Sequence, residues 1–591
     1  MTVRGALVVV AAGAVLALTL LASGLGGTFR LGLVRITLND FNKPLACGLL
    51  VVGWLLIQEW RHTFWRRLGM ALLAVLGLLA IVSFARGTPA IVTDSDFAVT
   101  ELYTELATRG RLLVGPYSRF GWNHPGPLYF YVQAPFYAAS GHRAAALYAV
   151  AVAINLIAVA TLVWIVARTN RGPLLVLVTA ACVVFAWRAP RFLASPWTGH
   201  VPILPGLTFI VLCAAVASGR PRLLPLAVVV ASFITQTHAS FVPMVGALSA
   251  IACVAVWRRE EGGMDGRSPW SIVNASAWVA LALWLLPISE ALSSAGGNLA
   301  ALGRFFVTGG GTGHAMTEAL FNWSYGLVGL LRSDFGLPWG GHFVVRGFWW
   351  VVPCALGQVL LLVAVGLRDF RSGRSFDSAL ALSAAVASGV GLWAITQIEG
   401  DILDHEIFWL AALGALNLAI LGAAGLRSLA GHWPGQWSMG RQAATTGCVL
   451  FLILVTGLGV RHLRDLTAFE MRRTDRPTIL ATHVTIREYL RGQGIREPLV
   501  EIEGGAWSHA AGVVLRLLQD DTPFAMPDAS LPMFTDYFAS SGDEDAIVTI
   551  SSDRRLHEEM IARPGNVVLR DVHSVYVDAV RIVPAGRGQA R

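Results

Sequence analysis

The chain has 591 residues, 55% hydrophobic and only 14% charged, with a mean hydropathy of +0.60. Ordinary soluble domains carry about 25% charged residues, so that class is excluded and repeated membrane-spanning helices are expected. The formal charge of +8 comes almost wholly from arginines spread through short connections, Lys43 being the sole lysine, so no nucleic-acid partner is implied.

The first apolar run, 5–24, has the length of a signal peptide but no persuasive small-residue cleavage site, and reads as a retained helix. Further runs at 44–60, 68–86, 144–167, 173–187, 201–218, 223–239, 241–257, 271–289, 348–367, 377–397, 406–426 and 443–460 give about thirteen spans. The six cysteines all lie in apolar segments at no metal-ligand spacing, which predicts neither a disulfide nor a zinc site. With the N-terminus cytoplasmic, the short inner connections hold arginine groups such as Arg61, Arg66 and Arg67, or Arg368, Arg371 and Arg374. The positive-inside rule favours that direction. The outer side then receives the loop 87–143, the long loop 290–347, and everything after 461, which hold most of the acids and histidines.

Residues 94–103, DSDFAVTELY, follow the third span. Thr93-x-x-Asp96 has the form of a capping box, and acids suit a helix N-terminus. That accounts for one aspartate, not for Asp94, Asp96 and Glu101 together. In a helix, 94 and 101 share a face and 96 points elsewhere. Next comes SRFGWNHPGPLYFYVQAPFY, 118–137, whose Pro125 and Pro127 can start an aromatic helix at the membrane interface. Its His124 is either a structural residue near a helix start or part of a rim that receives a lipid-linked substrate.

Gln236 and His238 lie at the outer end of the seventh span, where polar groups are either functional or simply solvated. Two apart, they face different ways in a regular helix. Arg304 precedes the glycine-rich 307–318 and could hold a phosphate, as could Arg119, Arg188, Arg191 and Arg346. No GK[ST] follows, so the glycines are not a Walker motif. Asn322-Trp323-Ser324 matches a glycosylation sequon. EGDILDHE, 399–406, could bind a metal or a sugar but reads first as a solvated turn. The tail, 465–591, is charged, with strands expected at 498–503, 546–551 and 574–583 and a helix at 507–519, after a Gly504–Gly505 turn.

These motifs, in this order, make the chain resemble the GT-C superfamily of membrane glycosyltransferases. The likeness is strongest to bacterial members related to protein mannosyltransferases and aminoarabinose transferases. DSDFAVTELY and NHPGPLYFY occupy the places of the acidic pair and the H/Y-P-P-LYY stretch, with QTH (236–238) further on. The motifs cover roughly 68–260; the rest matches by layout. Ser95 separates the two aspartates where the family has adjacent acids, and two extra spans precede the acidic loop.

The resemblance implies a polytopic α-helical membrane protein, with a transmembrane domain at 1–464 and a small extracytoplasmic α/β domain at 465–591. It implies a hexosyl- or pentosyltransferase of a bacterial plasma membrane. The donor would be a polyprenyl-phosphate-linked sugar and the acceptor an envelope glycan, lipid or protein, with membrane lipids around both. Asp96 is the first choice for catalytic base and Asp94 the second, and either would help hold a divalent metal, Mg or Mn. Glu101, His124, Gln236, His238 and Arg304 would be substrate contacts. The alternatives are a transporter or flippase for lipid-linked glycans, a ligase for whole oligosaccharides, and a non-catalytic assembly protein. A transporter should show broken helices and mid-membrane charges in related halves. Here the polar groups gather on one side.

Overall fold

The computed structural model describes residues 3–25, 27–31, 34–38, 42–59, 63–170, 172–258, 269–293, 297–308, 313–335, 349–430, 441–473, 475–572 and 575–582. Arg346 and the glycine-rich 309–312 lie outside them. Among the described residues there are 21 α-helices and a small C-terminal sheet. Eight helices are long and apolar enough to cross a membrane: Arg67–Gly87, Ala145–Thr169, Ala239–Trp257, Trp270–Ser293, Val351–Arg371, Ser375–Thr396, Asp404–Leu429 and Ala444–Met471. The five other expected spans fall in Val3–Ala22, Asn42–Glu59, Pro173–Arg188, Ile203–Ala217 and Leu224–Thr237, whose described apolar stretches are shorter. Ile203–Ala217 is buried along nearly its whole length, as a helix apolar on every side must be.

The first two helices pack on Thr63–Gly87 around Ala11, Ala14, Leu18, Val52 and Leu76, a core separate from the main one. Small residues permit the close approach: a Cβ on Gly48 would sit 3.2 Å from that of Ala14. Between these two helices lies an antiparallel hairpin of β1 (Gly27–Leu31) and β2 (Val34–Leu38), which the apolar pattern does not announce.

The arginine-bearing helix ends are tied together. Asp369 is fully buried and is met by Arg368 at 3.0 Å, Arg374 at 3.3 Å and Arg427 at 3.0 Å. Asp377 accepts from Asn170 at 2.8 Å. A buried carboxylate is tolerated only with such partners. The sequon residues belong to the helix Met316–Leu327, where Asn322 and Ser324 are buried and Trp323 Nε1 donates to the Ser388 carbonyl at 2.8 Å. The sequon is therefore a packing element and presents no surface asparagine.

The tail forms a four-stranded sheet in the order β3 (Pro498–Glu503), β4 (Ala546–Ser551), β6 (Val575–Arg581), β5 (Asn566–Val572). β3 and β4 are parallel, joined through the helix Trp507–Gln519; the other pairings are antiparallel. The tail does not begin at a break, because the helix Arg441–Met471 runs through residue 465. Nor does it stand apart. Val99, Leu102, Leu106 and Phe130 share one core with Val513, Leu517, Phe534 and Ile550. The helix Trp507–Gln519 comes so close that a Cβ on Gly512 would lie 2.7 Å from the Thr93 carbonyl oxygen. First loop and tail are one packed body.

Candidate functional site

The helix Ser95–Thr108 and the N-cap before it carry all three acids singled out by sequence, and they separate them. Asp94 is its N-cap, with no bond from its side chain to the helix amides. Its carboxylate lies 2.8 Å from Arg473 Nη2. The capping box does not form, since Thr93 Oγ1 donates instead to Glu101 Oε2 at 2.6 Å. Glu101 is buried and also receives Tyr137 Oη at 2.9 Å and Gln519 Nε2 at 3.2 Å. Burial pushes its pKa up, against the pull of Arg516 and these donors. Asp94 and Glu101, two turns apart, both face the tail.

Asp96 faces the other way, into a cavity of about 580 Å³. That is the size of a small-molecule site. Half-buried on the cavity wall, Asp96 accepts a short hydrogen bond from Tyr117 Oη. Burial raises its pKa above the ordinary 3.8, and the tyrosine bond opposes the rise. Burial and the neighbouring carboxylate push Tyr117 far up, so it stays a donor. The walls are largely aromatic and include Trp122, Trp197, Phe305, Phe306, Trp393 and Trp409. Their polar groups include Arg119, His124, His238, His405 and Glu406.

The cavity sits where helix ends meet. Asp96 follows Arg67–Gly87, His238 precedes Ala239–Trp257, and Gln397 to Glu406 join Ser375–Thr396 to Asp404–Leu429. The arginine cluster around Asp369 lies at the opposite ends of these last two helices.

Of the sequence candidates, Asp96, His124 and His238 line the cavity; Asp94, Glu101, Gln236 and Arg304 do not. The reason for Gln236 is local chemistry. Pro287 has no N–H, which leaves the Leu283 carbonyl without its helical donor. Gln236 Nε2 supplies one at 2.9 Å, while its Oε1 accepts the Leu128 N–H at 3.3 Å. Gln236 is a clasp between two helices. Arg304 is exposed on the helix Asn298–Thr308, with Nε 3.4 Å from the Ala300 carbonyl, and only its neighbours Phe305 and Phe306 reach the cavity. Arg188 donates to the Leu330 and Arg332 carbonyls, and Arg191 lies over Phe469.

Two further expectations change. The segment 399–406 is not a solvated turn: Asp404 is fully buried, and Glu399, His405 and Glu406 line the cavity. Arg119 locks it to the first loop, donating to the carbonyls of Glu399 at 3.1 Å and Asp401 at 2.6 Å and to Glu406 at 3.1 Å. The helix Leu128–Ala139 does not float in the interface, since Tyr129, Phe130 and Tyr137 are buried and Tyr129 Oη bonds the Pro196 carbonyl at 2.7 Å. Asp94 and Asp96 part company, the first being held by Arg473 and the second by Tyr117. Among the described residues no group of three His, Cys, Asp or Glu side chains is placed to hold a metal.

Tyr117 and Trp197 carry no local signal in the sequence because they reach the cavity from distant parts of the chain. The loop that delivers Tyr117 folds back on itself, with Tyr117 bridged to Asn123 and the Gly115 N–H donating to the His124 carbonyl at 3.2 Å. A Cβ on Gly115 would sit 2.4 Å from that oxygen and 2.7 Å from the Gly126 oxygen. Both obstacles are backbone, so Gly115→Ala must push the loop open. The expected cost is about 1–3 kcal/mol, read as a lower melting temperature of the purified protein. A melting temperature equal to wild type would show that this packing is looser than described. No protein-family model matches the chain, and no curated protein matches it.

Proposed function

We propose that the protein is an inverting membrane glycosyltransferase of GT-C type, with Asp96 as its base. The observation that carries the reading is the half-buried carboxylate of Asp96 opening into an aromatic-walled cavity at the ends of membrane-crossing helices. Aromatic faces suit sugar rings and lipid chains, and a carboxylate suits an acceptor hydroxyl. The reading takes the five shorter apolar helices as spans too, thirteen in all, with the cavity and tail on the outer side. The arginine-rich opposite ends of the helices support that direction.

In the proposed reaction, Asp96 takes the proton of the acceptor hydroxyl. The hydroxyl oxygen attacks the anomeric carbon of the donor sugar from the side opposite its phosphate. The carbon–oxygen bond to the phosphate breaks, and the polyprenyl phosphate leaves with the electron pair. Tyr117 keeps Asp96 aimed and its proton affinity in check. No step is assigned to a metal, because the two aspartates do not converge.

The test is transfer of label from a panel of polyprenyl-phosphate sugars in membranes containing the protein. Transfer by wild type that is lost in Asp96→Asn supports the reading; equal transfer in both overturns the assigned base. A second expectation concerns pH. The base must be ionised, so activity falls as pH drops through the pKa of Asp96, which lies above 3.8. The Tyr117 bond lowers that pKa. Tyr117→Phe should therefore move the acid limb of the rate profile to higher pH. An unmoved limb would mean that a group other than Asp96 controls it.

A further inference from the structure

Two histidines hang from the start of one helix. The turn Ala239–Phe241 leads directly into the helix Val242–Trp257, and its amides point back toward the cavity wall. His124 Nδ1 accepts the Ala239 N–H at 3.0 Å. His238 Nδ1 accepts the next amide, Ser240 N–H, at 3.4 Å, with the Ser240 hydroxyl 2.8 Å from the same nitrogen. The two rings lie 4.6 Å apart, centroid to centroid, and are inclined by 31°.

These bonds assign the tautomers. A backbone amide only donates, so each Nδ1 must present a lone pair. In a neutral imidazole the proton then sits on Nε2, on the far side of the ring. Both side chains are more than nine-tenths buried, with 7% and 6% exposure, and both line the cavity. Among the described residues no protein group bonds either Nε2. The pair therefore offers two oriented N–H donors with no partner among the described residues.

We propose that His124 and His238 form an uncharged anion clamp, whose two Nε2–H groups bind the phosphate oxygens of the molecule that occupies the cavity. The clamp rests on the glycosyltransferase reading only for which molecule brings the phosphate. The first amides of a helix carry the positive end of its dipole. Here two of them act on the anion through imidazoles, and each amide bond polarises the ring and strengthens the opposite N–H. A neutral imidazole held this way donates its N–H to a negative oxygen without carrying a charge itself. Burial supports it: the His124 pKa is pushed down to about 3, and that of His238 also falls well below its usual value. The cationic Arg119 on the same wall is already taken by Glu406 and two carbonyls. A neutral clamp also releases a phosphate product more readily than a buried cation would.

The experiment uses the purified full chain in nanodiscs, titrated calorimetrically with farnesyl phosphate, farnesol and inorganic phosphate. Wild type should bind farnesyl phosphate at least tenfold tighter than farnesol. His124→Phe and His238→Phe should each lose most of that ratio while binding farnesol as before, which shows that they still fold. Variants that keep the ratio overturn the clamp. In ¹⁵N-histidine spectra at pH 7, both wild-type rings should be the Nε2–H tautomer. An imidazolium or an Nδ1–H form overturns the proposal even if the variants do not fold. Farnesyl phosphate held tenfold tighter than inorganic phosphate identifies a lipid-linked ligand, and equal affinities identify a free anion; the clamp stands in either case. Phosphate-selective binding without sugar transfer from any donor would sink the glycosyltransferase reading and leave the clamp intact.

Discussion

Asp96→Asn should abolish transfer with little effect on the amount of folded protein, while Asp94→Asn should do the reverse. The contrast follows from what each carboxylate touches. Asp96 meets the cavity and one tyrosine. An asparagine there can still accept from Tyr117 Oη, so the local packing survives. It cannot take a proton, and general-base catalysis contributes about 10²–10⁴ in rate. Asp94 is buried, 2.8 Å from Arg473, with Glu470 3.8 Å from the same guanidinium. Removing its charge takes away the closer of the carboxylates at Arg473 and weakens the join between the first loop and the end of the last long helix. Arg473 is 31% exposed, so solvent screening limits the loss to about 1–2 kcal/mol. Activity per folded molecule in Asp94→Asn should stay within a few-fold of wild type. Transfer lost in Asp94→Asn and kept in Asp96→Asn, at matched folded protein, would exchange the roles and sink the assignment.

The sequence announced the helices because an apolar run long enough to cross a bilayer is a one-dimensional signal. It also announced the strands Pro498–Glu503 and Ala546–Ser551 and the helix Trp507–Gln519, whose patterns are local. It did not announce β5, an edge strand whose Val567 and Val568 are 44% and 43% exposed and follow no clean alternation. Helical spacing puts 94 and 101 on one face and 96 on another, and the packing follows that division. Which face meets a cavity is set by tertiary contact, and nothing within the 94–103 stretch encodes it. Gln236 shows the limit well. Its role depends on a proline fifty-one residues later that strips one carbonyl of its donor, a relation no local pattern reveals. Glu399, His405 and Glu406 looked like a hydrophilic turn because hydrophilic composition is the same whether a loop faces water or a cavity.

Glu101→Ala should loosen the tail from the rest of the molecule, and Glu101→Gln should not. Glu101 is the shared acceptor of Thr93, Tyr137 and Gln519, the last belonging to the tail. Alanine leaves the buried hydroxyls of Thr93 and Tyr137 without their acceptor, while Gln519 keeps its bond to Tyr137 Oη at 2.7 Å, and it opens a void beside the core that joins loop and tail. Unmatched buried donors cost about 1–3 kcal/mol each, so a loss of about 3–5 kcal/mol is expected. Glutamine keeps an acceptor oxygen, and the hydroxyls of Thr93 and Tyr137 can turn to accept from its amide. It gives up only the attraction to Arg516. The pH dependence separates the two further. The folded pKa of Glu101 is raised above its ordinary 4.5. Below that value the carboxyl is protonated folded and unfolded, and its higher proton affinity in the fold is fully stabilising. As pH rises through the folded pKa, the group must ionise where it is buried, and that stability is lost. Glutamine does not titrate, so Glu101→Gln should gain on wild type as pH climbs from 4.5 through that window. Thermal unfolding of the purified protein between pH 4 and 8, with limited proteolysis to report release of residues 475–582, measures both effects. A tail held as firmly in Glu101→Ala as in wild type would mean that the apolar contacts among Leu102, Leu106, Val513 and Leu517 suffice to join the two parts.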